Sequence, residues 1–166
     1  MIKLGSKVLV SDPCYEYPTW CTGTVENVKP GNYNTNVIYY KDTDNFFNGR
    51  VSELIAIHES YTNKDLPWQI TEADIGVDSG QCGIFDFEQV KDIIGAGEWD
   101  EEDEFYAKAC ACTDDDKQYG EIGTYGVISR SGVGDGSYDL YVADIDGEIV
   151  GIKVVFINSD EDEDEE

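Results

Sequence analysis

Polar and apolar positions alternate in a way that predicts a mostly β chain. An apolar run over Lys7 to Val10 begins the fold, and Ser11-Asp12-Pro13 stops it, because proline lacks a backbone donor and Ser and Asp favour turns. The segments Trp20 to Val28 and Asn32 to Tyr40 flank the turn signature Lys29-Pro30-Gly31 and read as a hairpin or meander pair. Val51 to His58 is apolar enough for a buried strand or a short helix, and we read it as a strand. Between Asp74 and Phe85 the glycines Gly76, Gly80 and Gly83 suit a tight loop joining two short strands.

Two helices are expected in the middle. Asp86 is placed to cap one whose Phe87, Val90, Ile93 and Ile94 recur at helical spacing before Gly95 and Gly97 end it. The second, from about Asp100 to Cys112, gathers Asp100, Glu101, Glu102, Asp103 and Glu104 at its positive end and turns Phe105, Ala109 and Cys112 inward. A strand at Gly126 to Ser129, a glycine-rich turn at Ser131 to Gly136 and a long hairpin from Tyr138 to Phe156 complete the chain. Asp146-Gly147 is the hairpin's type I′ signature, and a regular register from it puts Tyr141, Ala143, Val150, Ile152, Val154 and Phe156 on one core face. The expected fold is α+β, predominantly antiparallel sheet with two central helices and a long C-terminal hairpin.

With 166 residues, 40% of them hydrophobic, the chain suits a single domain over 1–158, followed by a disordered acidic tail over 159–166. No run approaches the roughly 18 apolar residues of a membrane span, and Met1 to Val10 is too short and mixed for a signal peptide. A cytoplasmic protein is expected. The odd count of five cysteines, Cys14, Cys21, Cys82, Cys110 and Cys112, fits reduced thiols. Zinc held by Cys110 and Cys112 with Cys14 or Cys21 is the competing reading, but one intervening residue is closer than the usual spacing.

Charge changes the picture most. Eleven basic and 36 acidic residues give −25, of which the tail Asp160 to Glu166 carries seven. Such a field repels nucleic acid and anionic membranes and draws in basic partners. Candidate chemistry is sparse. His58, the one histidine, is read as a strand-end residue, which leaves a Ser or Cys nucleophile without an ordinary base. Gly132 to Gly136 lacks the G-x-G-x-x-G spacing of a dinucleotide site. Asp74, Asp78, Asp86, Asp135 and Asp139 flank the two glycine-rich loops and are oxygen donors of the kind Ca²⁺ or Mg²⁺ takes, although turn formation also explains them. Tyr15, Tyr17, Trp20, Trp68 and Trp99 are placed near loops, where aromatics serve either packing or partner contact.

Ser131-Gly132-Val133-Gly134-Asp135-Gly136-Ser137-Tyr138, followed by the Asp146-Gly147 hairpin and Val154-Val155-Phe156-Ile157, resembles the uncharacterised bacterial and phage family known as the domain of unknown function numbered 4241. Val10 to Tyr15 and Val77 to Asp86 are similar to its phage-encoded members. The resemblance implies a fold and a phage or bacterial origin, hence a host-cell cytoplasm, and brings no established activity.

We therefore expect a non-enzymatic acidic protein. Its function would be that of a phage accessory, counter-defence inhibitor or neutralising protein that docks on a basic partner and in its stronger form imitates DNA. Partner contacts are assigned to Asp100, Glu101, Glu102, Asp103 and Glu104, with no direct nucleic-acid or membrane binding. The alternative is a small-ligand protein or hydrolase with its site between the two loops, at Asp78, Ser79, Gly80, Gln81, Gly134, Asp135, Gly136 and Tyr138. No catalytic residue, bound metal or cofactor is assigned, and Ca²⁺ or Mg²⁺ remains the alternative.

Overall fold

The computed structural model describes residues 1–19, 22–95 and 105–157. Within them the protein is mostly antiparallel sheet, 49% strand, and it corresponds to α+β only in the loose sense of a β protein with little helix. Eleven strands are arranged in two sheets and do not close into a barrel. They are β1 (Ile2–Leu4), β2 (Val8–Ser11), β3 (Gly23–Val25), β4 (Gly31–Tyr39), β5 (Val51–His58), β6 (Trp68–Val77), β7 (Gln81–Asp86), β8 (Tyr119–Ile122), β9 (Gly126–Arg130), β10 (Gly136–Ile145) and β11 (Glu148–Val155). The larger sheet runs β1-β4-β5-β11-β10-β6 and the smaller β3-β2-β7-β9-β8.

The side-chain pattern explains the layering. β5 alternates buried and half-buried residues, the signature of a strand with one face on the core. β2 and β7 are buried at every position, because the smaller sheet is covered on both faces. Val8, Val10, Ile84 and Val127 point toward the larger sheet and join Leu54, Ile75, Leu140 and Ile152 in the main core. The intervening Leu9, Phe85 and Ile128 point the other way, onto Phe87, Val90, Phe105 and Ala109 of the helical layer.

That layer contains α1 (Phe87–Val90) and α2 (Phe105–Thr113). α1 is a single turn, although Ile94 and the positive-φ Gly95 close the segment where the pattern placed its end. Asp86 does not cap it; its carboxylate accepts the Gly5 N–H at 2.9 Å instead. Phe105 and Ala109 of α2 are buried as expected and Cys112 is half-buried. The acidic start at Asp100 to Glu104 lies outside the described residues, as does the tail from 159.

Strand pairing departs from the local expectation at three places. β3 and β4, anticipated as a hairpin around Pro30, belong to different sheets, β3 pairing with β2 and β4 with β1 and β5. β6 and β7 also separate between sheets, and β6 is ten residues long rather than short. The Asp146-Gly147 turn forms with both φ angles positive, 55° and 90°. A bulge between Ala143 and Asp144 then shifts the register, so Tyr141 faces Lys153 and Val142 faces Ile152. Ile152, Val154 and Phe156 are core, whereas Tyr141 moves to the outer face. There the Lys153 ammonium lies over Trp68 at 4.6 Å and over Tyr141 at 5.4 Å. Among the described residues no helix is long and apolar enough to cross a membrane.

Candidate functional site

The two glycine-rich loops meet at one end of the molecule. Residues 78–80 join β6 to β7, and 131–135 join β9 to β10, so each loop carries the chain from one sheet to the other. Ladder pairs β6–β10 and β7–β9 bring them side by side, with Gly136 opposite Val77 and Gln81 opposite Arg130. The Ser131 N–H donates to Gly80 O at 2.9 Å and closes the junction.

Asp12 fixes the first loop. It is fully buried in the turn after β2, and its carboxylate takes four hydrogen bonds. One oxygen accepts from Cys14 N (2.8 Å) and Ser79 Oγ (2.7 Å), the other from Asp78 N and Ser79 N (2.8 Å each). The second loop is held by its own carbonyl: Gly134 O accepts from Ser131 Oγ at 2.7 Å and from the Tyr138 hydroxyl at 2.5 Å.

A cleft of about 850 Å³ opens between Ser79 to Gln81 and the exposed side of α2, with Lys108, Cys110 and Asp114 on its wall. A second hollow of about 440 Å³ continues from it past the shared Gly80 and Arg130 to Arg50, Gln118, Gly132 and Gly134. Gly80 and Gly134 line this space. Ser79 and Gln81 reach it but are engaged: Gln81 is buried, accepting from the Thr113 hydroxyl at 3.1 Å and donating to Cys110 Sγ at 3.5 Å. Asp78 is exposed on the rim and accepts from the Tyr15 hydroxyl at 2.7 Å. Asp135 and Gly136 are exposed at the outer turn, and Tyr138 is buried edge-on against Phe156.

Burial, reinforced by the neighbouring Cys110 thiol, pushes the Tyr106 phenol up to about 12, against an opposing hydrogen bond from Ser79. Burial likewise raises the Cys112 thiol, helped by Asp115, so its nucleophilic thiolate is disfavoured. His58 lies at the opposite end of β5 from Val51, whose carbonyl adjoins Gly132. Seven residues at ~3.3 Å each place it about 23 Å along the strand from the second hollow. It is buried, its Nδ1 accepting from Ser60 N at 3.1 Å and its ring edge-on to Tyr33. Among the described residues no three His, Cys, Asp or Glu side chains gather into a group able to hold a metal ion.

Sequence reasoning missed Asp12, Arg50, Lys108, Gln118 and Arg130. A signal for the arginines was present, since they are the chain's only two against 36 carboxylates. A second surface stands out on the open edge of the larger sheet. Asp74 and Asp139 face each other across the β6–β10 pair, both exposed, with the exposed Glu72 nearby on β6. No family model, curated protein or solved structure matches the chain.

Proposed function

We propose that the protein acts by binding a basic partner protein, as an acidic accessory or counter-defence protein of the phage type in the host cytoplasm. The observation that carries this reading is the Asp74–Asp139 pair. Like charges directly opposite one another weaken a sheet. Here both are exposed, Asp74 on the edge strand β6 and Asp139 on its neighbour β10, and among the described residues neither forms an ion pair. A local rule broken without internal compensation is expected where a surface serves a partner. The net charge of −25 and the motif resemblance support the same reading. The stronger, DNA-imitating form asks for carboxylates in a row, and Glu72 and Asp74 on β6 with Asp139 on β10 are three neighbouring ones.

The test compares the parent with the double variant Asp74→Asn/Asp139→Asn in affinity capture from host lysate at low and high salt. The parent should retain a basic protein at low salt and release it as the Debye length shrinks to a few ångströms near 1 M. The variant should lose that protein and melt at a slightly higher temperature. Undiminished capture by a folded variant refutes the reading. A chain ending at Asn158 measures the contribution of the tail.

A further inference from the structure

Arg50, immediately before β5, and Arg130, the last residue of β9, are the chain's two arginines, and the fold brings both to the 440 Å³ hollow. Each is anchored by a backbone carbonyl rather than a carboxylate. Arg50 Nη1 donates to Gly132 O at 3.2 Å, and its guanidinium lies over the rings of Phe46 (4.5 Å) and Phe47 (5.4 Å). Arg130 Nε donates to Thr113 O at 3.1 Å. The four ion pairs among the described residues use the Met1 ammonium, Lys29, Lys91 and Lys153, and neither arginine takes part. In a chain this acidic, two guanidiniums converge on one hollow with their directions set and most of their five donors uncommitted.

The backbone adds to the same polarity. Gly132 and Gly134 have φ of +64° and +109°, and their N–H groups meet no acceptor among the described residues. The Val133 N–H between them donates to Ser131 O at 2.6 Å, so the loop offers two separate donors rather than a continuous concavity. Lys108 supplies a further cation on the adjoining lobe, with Asp114 the carboxylate on that wall.

We propose that this hollow binds a phosphate-bearing small molecule, its phosphate seated between Arg50 and Arg130 and its body in the 850 Å³ lobe beside α2. Two planar guanidiniums match the several oxygens of a phosphate, each offering a bidentate pair, where a carboxylate satisfies only one. The surrounding negative field discriminates against long polyanions such as nucleic acid and leaves a compact ligand held by short, directional bonds. The two lobes together provide the space a small-molecule site requires. The proposal is independent of the acidic edge of β6 and β10, since it uses different residues and an oppositely charged ligand.

Isothermal titration of the full chain with inorganic phosphate and with phenyl phosphate, at constant ionic strength and with acetate as the control anion, tests the site. Both phosphates should bind saturably, phenyl phosphate more tightly, and acetate should not. Arg130 is exposed, so Arg130→Gln should still fold, melting slightly lower for the lost Thr113 hydrogen bond, and bind at least about 10-fold more weakly, the loss expected for a charge-assisted hydrogen bond. Lys64→Gln, on the β5–β6 connection, should bind as the parent does. Absence of saturable phosphate binding overturns the proposal, as does equal binding of acetate or full affinity in folded Arg130→Gln.

Discussion

Replacing Asp12 tests how the first loop is held. Its carboxylate is wholly buried and receives three backbone N–H groups and one hydroxyl, all within 2.8 Å. Hydrogen bonds to a charged group contribute about 1.5–3 kcal/mol each and do not add when they share an acceptor. Asp12→Ala leaves the Cys14, Asp78 and Ser79 N–H groups without that acceptor. Against this stands relief from one buried negative charge in a chain of −25. The net loss should be about 3 kcal/mol, within the range for breaking a buried charged network. For a chain of this size that lowers the melting temperature by roughly 6–12 °C. Asp12→Asn keeps one oxygen, and the Ser79 hydroxyl can reverse to accept from the new amide, so about half the loss is expected. Urea denaturation measures both values, and hydrogen exchange should show Asp78 and Ser79 losing protection while β7 keeps its own. If both variants fall within about 0.5 kcal/mol of the parent and the loop amides stay protected, the staple is energetically idle and the reasoning fails.

At Gly132 an added Cβ would stand 2.1 Å from the Val51 carbonyl oxygen in a backbone of φ +64°. Gly132→Ala should therefore cost about 3 kcal/mol by denaturant titration, strain and overlap together. Gly134→Ala, with open space around its Cβ, should cost no more than about 2 kcal/mol, and equal losses would refute the steric account. At Glu121 burial pulls the carboxyl upward, but the Thr35 hydroxyl and the Met1 ammonium outweigh it and hold the group below the usual carboxylate range. A lowered folded value contributes stability above the unfolded value of about 4.3, lost as pH falls through the folded one. The group is partly exposed, so Glu121→Gln should cost less than about 1 kcal/mol at neutral pH, and the gap from the parent should close on acidification. A gap independent of pH would contradict the assignment.

Short-range patterns in this chain determined what short-range forces determine. The end of the α1 segment at Gly95, the inward residues of α2 and the type I′ turn at Asp146-Gly147 follow from helical spacing or the cost of positive φ, whereas the apolar run that forms β5 suited a strand or a short helix alike. The strand content and the two glycine-rich loops were legible for the same reason. The register of the C-terminal hairpin was not, because one bulged residue beyond the turn reverses which face Tyr141 occupies, and nothing in the turn encodes it. Nor was the assignment of β3 and β4, or of β6 and β7, to different sheets. A strand's partner depends on which apolar faces close over one another across the whole chain. The site shows the same division. Glycines at 80, 132 and 134 announced turns, but only the tertiary structure puts Asp12 under Ser79, 67 positions away, and Arg50 beside Arg130. Those meetings come from strand order and long-range packing, which fix the positions of charges that no local spacing relates.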